Sequence, residues 1–206
     1  ALARSHAETV PMMETLRPAW KELSKLVLII AVRTLTYSGL VAFLPLYLQQ
    51  QGMSLSVCSH LLFILLLSGA AGGIAGGYLS DRFGKTIVIF LSLALSPIFF
   101  YLFLHVGAGL QPVVFALAGA TLLSSFSPIV VLAQELLFRQ AAMASGFSLG
   151  FGIGIGGLGV GLVGLIIQYA GLAPAINMLI CLPFVAACIA LTLKGRKTLE
   201  QEGFAQ

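Results

Sequence analysis

Six apolar runs, each about 20 residues long, decide what this chain can fold into. They cover about residues 26–49, 55–79, 86–106, 111–133, 143–168 and 172–193, with only short connections between them. A helix rises about 1.5 Å per residue, so roughly 20 residues cross a hydrocarbon slab about 30 Å thick. With 59% hydrophobic residues and a mean hydropathy of +1.03, the chain carries more apolar surface than a soluble domain of 206 residues can bury. The alternating segments of roughly ten residues that mark an outer-membrane barrel are missing from the sequence. The expected fold is an all-α membrane protein with six transmembrane helices, solvated by a lipid bilayer.

Basic residues set the expected orientation. Arg4, Arg17, Lys21 and Lys25 precede the first span, Arg82 and Lys85 follow the second, Arg139 follows the fourth, and Lys194, Arg196 and Lys197 follow the sixth. The opposite loops, 49–54, 107–110 and 169–173, hold no Lys or Arg. The positive-inside rule then places both termini and the Asp81 turn in the cytoplasm. The net charge of +4 is accounted for by topology, and no basic cluster with interleaved aromatics points to nucleic acid. Residues 1–25 read as a cytoplasmic linker or interfacial helix with Trp20 as anchor, 26–194 as the membrane bundle, and 195–206 as a cytoplasmic tail. The linker lacks the apolar stretch of a signal peptide.

Only 9% of residues are charged, yet Asp81, Arg82 and Lys85 fall within one short turn flanked by Gly77 and Gly84. Glycine permits close approach or unusual backbone angles on either side of a tight connection. Asp81 is suited to the positive N-terminus of the fifth helix. Arg82 and Lys85 can reach lipid phosphates or Glu135. Glu135 itself, at the end of the fourth span, is expected to pair with Arg82 or with Arg139 one turn later. Such a cluster could act as a latch that loosens when the cytoplasmic side opens.

Arg33 is the single charge well inside a span. Inserting a central Arg costs about 2.5 to 3.5 kcal/mol, so it should face protein or water. Thr36 and Tyr37 lie near its face of the helix, and Ser124 is among the polar residues of the fourth span. Two readings stand: a guanidinium holding an anionic substrate through paired donors, with Thr36, Tyr37 and Ser124 beside it, or a structural Arg that snorkels or pairs with an absent partner. The first and fourth spans are the most hydrophilic, as expected of helices lining a watery path, and each carries a proline, Pro45 and Pro128, able to bend it.

Residues 146–164 hold nine glycines and match GxGxxG, but no strand precedes them and no acidic residue follows at dinucleotide-site spacing. Gly146, Gly150, Gly154, Gly157 and Gly161 are better read as small residues for helix packing. Cys58, Cys181 and Cys188 lie within spans without metal or disulfide spacing, and His60 and His105 near the outer surface without metal spacing, so no metal or cofactor is expected. No carboxylate lies deep in a span and no catalytic pair is present, which argues against an enzyme and leaves a proton-carrying acid unaccounted for. A shift of 87 positions superposes Gly69 on Gly156, Gly72 on Gly159, Gly77 on Gly164 and Gly84 on Gly171. Two related units of three helices must be inverted relative to each other across the membrane.

The stretch Gly77-Tyr78-Leu79-Ser80-Asp81-Arg82-Phe83-Gly84-Lys85 resembles the loop signature of the major facilitator superfamily, G-x-L-x-D-R-x-G-R/K. Thr86 stands where many members place another basic residue. Residues 26–194, with Arg33-Thr34-Leu35-Thr36-Tyr37-Ser38-Gly39 and the glycine-rich fifth span, resemble the C-terminal half of the fosmidomycin-resistance group of drug exporters. The resemblance implies half of a twelve-helix fold in a bacterial-type inner membrane, a cavity lined by the first and fourth helix of each half, and export of small, anionic antibiotics by proton antiport. It also implies a partner, either the missing N-terminal six-helix half or a second copy. The competing class is a non-transporting six-helix membrane subunit or a channel of several copies.

Overall fold

The computed structural model describes residues 20–107, 109–136 and 141–193, and among them every regular element is an α-helix. The helices are α1 (Trp20–Gln50), α2 (Leu55–Phe83), α3 (Lys85–His105), α4 (Gln111–Ser124), α5 (Phe126–Leu136), α6 (Ala141–Ala170) and α7 (Leu172–Ala190). Together α4 and α5 make one span, so six segments are long and apolar enough to cross a membrane. The all-α, six-span expectation is met. Helix α1 starts at Trp20 rather than near residue 26, so the end of the expected linker is already helical. The rest of the linker, Arg139 and the C-terminal tail lie outside the described residues.

The fourth span is broken at Ser125, and Pro128 explains where. Proline has no N–H to give the Ser124 carbonyl, and it is tolerated best in the first turn of a helix, which is where α5 places it. Pro45, Pro97 and Pro183 lie inside α1, α3 and α7, none of which is interrupted. Of the two prolines expected to bend their helices, Pro128 coincides with a break and Pro45 does not.

Helix packing repeats itself across the two triplets. Helix α2 packs along α4, and its counterpart α6 packs along α1; α3 packs on α4, and its counterpart α7 packs on α1; α3 and α7 meet each other. Gly69 and Gly72 give α2 its close approach to Leu123 and Ala120, while the superposable Gly156 and Gly159 give α6 its approach to Ser38 and Leu35. Gly84 and Gly171 connect the second helix to the third in each triplet, with φ of +95° and +90°, a region in which a side chain would be strained. The faint glycine echo thus marks a three-plus-three inverted repeat.

The core runs between α1, α3, α4 and α7, with Leu26, Ile29, Leu40, Ile89, Leu93, Phe115 and Leu179 fully or almost fully buried. Phe103 stacks on Phe115 with ring centroids 4.4 Å apart, and Phe100 meets Phe115 edge-on at 6.0 Å. At the base of α1, Lys25 Nζ donates to Glu22 Oε1 at 2.8 Å and to the Thr192 carbonyl at 2.9 Å. That second bond ties α1 to the end of α7, where a cation suits the bare carbonyls.

Candidate functional site

Arg33 projects from the middle of α1 to the break in the fourth span. Its Nε donates to Ser125 Oγ at 3.0 Å, and Ser125 Oγ in turn donates to the Leu122 carbonyl at 2.8 Å. The guanidinium carbon sits 5.1 Å from the centre of the Phe126 ring, within cation–π range. Arg33 is only 7% exposed. No carboxylate among the described residues lies within ion-pair distance of it. Its two terminal nitrogens make no hydrogen bond to a described residue, yet neither is sealed from the surface. A buried cation with open donors and no counter-charge is costly, and an oxyanion matches its fork of N–H groups.

The other residues expected around Arg33 are arranged differently. Thr36 is fully buried and donates back to the Val32 carbonyl at 3.0 Å, as helical threonines do when nothing else claims the hydroxyl. Tyr37 is half-buried against the apolar core. Ser124 turns to α2, where its carbonyl and hydroxyl lie over Gly76. The structure therefore brings Arg33 to Ser125 and Phe126 rather than to Ser124. Pro128 was the available signal: it locates the break, and the polar residue at a break is the one whose side chain can be shared with a neighbouring helix.

At the end of the bundle that carries Gly84, Lys85 Nζ pairs with Glu135 Oε1 at 3.0 Å, joining the start of α3 to the end of α5. Of the partners expected for Glu135, Lys85 is the one that reaches it; Arg139 lies outside the described residues, and Arg82 instead lies over its neighbour Phe83, 5.8 Å from the ring centre. Lys85 starts α3 immediately after the turn and so projects across to α5, whereas Arg82 ends α2 on an exposed face. Asp81 is exposed, with no hydrogen bond or ion pair to another described residue. Gly77 lies against Ser127 of α5, so the glycine before the charged turn permits the α2–α5 approach.

Helix α6 presents two glycine faces. Gly152, Gly156 and Gly159 lie against α1, while Gly146, Gly150, Gly154, Gly157 and Gly161 face open space. The five glycines expected to pack are thus on the face that no described helix covers. An open cleft of about 590 Å³ at the opposite end from Gly84 is lined by Phe43, Leu46, Gln49, Gln50, Ile167 and Leu172. It is remote from Arg33, which lies more than two turns back along α1.

Residues 3–155 match the model of the Major Facilitator Superfamily. The chain is 37% identical over 149 residues to an uncharacterized MFS-type transporter, YfnC, of Bacillus subtilis (strain 168), covering 72% of this chain and 36% of that protein. It is 31% identical over 163 residues to the fosmidomycin resistance protein of Escherichia coli (strain K12), covering 79% of this chain and 40% of that protein. The matches thus span 36% and 40% of the lengths of these two curated relatives.

Proposed function

Because the chain belongs to the major facilitator superfamily, we propose that it works as the C-terminal six-helix half of an inner-membrane exporter of small organic anions, completed by another six-helix half or a second copy. One observation carries the choice of anions: Arg33 is buried, without an ion pair among the described residues, and open at its terminal nitrogens where the first span meets the fourth. The similarity to a fosmidomycin resistance protein supports the same class, since a phosphonate presents oxygens that a guanidinium binds in pairs.

In this reading both termini and the Asp81 turn face the cytoplasm, on the side of the excess Lys and Arg. The Lys85–Glu135 pair then closes the cytoplasmic end of this half and parts when that end opens. With a partly exposed carboxylate it contributes about 0.2 to 1 kcal/mol, weak enough to be broken in every cycle. Proton antiport supplies the drive, and because no carboxylate lies deep in a described span, the coupling acid belongs to a completing half of different sequence, which a second copy would not provide. The open glycine face of α6 suits close approach by a helix of that half.

Liposomes test the reading against a channel. The chain alone should conduct no ions and move no phosphonate, and with a complementing N-terminal six-helix half it should accumulate phosphonate when a pH gradient is imposed. Passive conductance by the chain alone would overturn the proposal in favour of a multimeric channel.

A further inference from the structure

The surroundings of Arg33 are uneven, and the unevenness bears on what an anion bound there must look like. Ser125 has one hydroxyl proton, and it is committed to the Leu122 carbonyl, so the serine offers a ligand no donor while it holds Arg33. The oxygens of a ligand would therefore be met by the terminal nitrogens of Arg33 and not by Ser125. Beside them lies the Phe126 ring, 5.1 Å from the guanidinium carbon and 41% exposed, the first residue of α5. Ser125, its neighbour in sequence, takes the fully buried position at the break, which leaves Phe126 at the edge of the packed face.

An exposed aromatic ring at a cation has a definite preference. Its face is electronegative, so it favours the guanidinium and disfavours a bare inorganic oxyanion. A ligand that carries an apolar or aryl group next to its anionic head can cover the ring and hold the guanidinium at once. We propose that Phe126 is the specificity-determining residue of this site and selects organic anions with an apolar group beside the charge over inorganic oxyanions. The proposal rests on the reading of Arg33 as an anion-binding residue.

Calorimetric titration of the full chain in lipid nanodiscs with inorganic phosphate, methylphosphonate and phenylphosphonate separates the two claims. Phenylphosphonate should bind about tenfold more tightly than methylphosphonate, with phosphate weakest. Phe126→Leu should remove most of that tenfold preference, bringing phenylphosphonate close to methylphosphonate, and Phe126→Tyr, which keeps the ring, should retain it. Equal affinity for the two phosphonates, or a preference that survives Phe126→Leu, overturns the role of Phe126 and leaves the anion site standing. Failure of all three anions to bind the native chain, or binding that survives Arg33→Gln, overturns the anion site and the role of Phe126 with it.

Discussion

A methyl group separates Gly72 from alanine, and a Cβ at this position would run into the backbone of Ala120 on α4. Backbone cannot swing aside as a side chain can, so Gly72→Ala must push α2 from α4. Overpacking of this kind costs about 1 to 3 kcal/mol, read as a lower thermal midpoint of the chain in detergent. Gly154→Ala on α6 meets nothing within 4 Å and should leave the midpoint unchanged or raise it slightly, since alanine favours a helix over glycine. The sequence offers both as glycines in glycine-rich helices, and spacing alone does not separate them. What separates them is which neighbour lies opposite, a tertiary fact. Arg33 was legible in the same partial way: its isolation in an apolar run made it stand out, but its contacts with Ser125 and Phe126 depend on how α1 crosses the fourth span.

At the level of the helix, the fourth span shows how one proline and one arginine share a joint. Pro128 leaves the Ser124 carbonyl without its helical donor, and Arg33 grips the hydroxyl of Ser125 and the ring of Phe126 at the break itself. Ser125→Ala should therefore destabilise the chain by about 1.5 to 3 kcal/mol, the worth of a hydrogen bond to a charged group. Replacing the cation by a flexible apolar side chain, Arg33→Met, should be close to neutral in stability and should make Ser125→Ala much less costly in the same background. Equilibrium unfolding of the two single variants and the double variant measures this coupling, and additive effects would show that Arg33 does not hold the joint. The position of the break follows from Pro128 in the sequence, whereas Pro45 is an equal candidate there and lies in an uninterrupted α1, because one missing backbone bond can be tolerated when neighbouring packing holds the helix.

Across the whole molecule, the six spans and their pairing into two triplets could be read from hydrophobic run length and from glycines 87 positions apart, because membrane solvation and backbone crowding act on single positions. The choice among charged partners was only partly legible: Lys85 and Arg82 were both within sequence reach of Glu135 and the structure selects Lys85, while the hydrogen bond from Lys25 to the Thr192 carbonyl joins distant parts of the chain and left no signal. The face of α6 carrying Gly150, Gly154, Gly157 and Gly161 is uncovered by the described helices. Without another half to cover it, two copies should associate, so mass measurement in mild detergent should give twice 21.7 kDa, and a monodisperse single copy would argue against pairing of this kind. The central claim, that this bundle carries an anion path whose charge selector is Arg33, is tested most directly by phosphonate transport into liposomes holding the chain with a complementing six-helix half under an imposed pH gradient. The account predicts transport by the native pair and its loss, by about a hundredfold or more, in Arg33→Gln and also in Arg33→Lys, which cannot present a paired fork of donors. Undiminished transport by Arg33→Gln would contradict it.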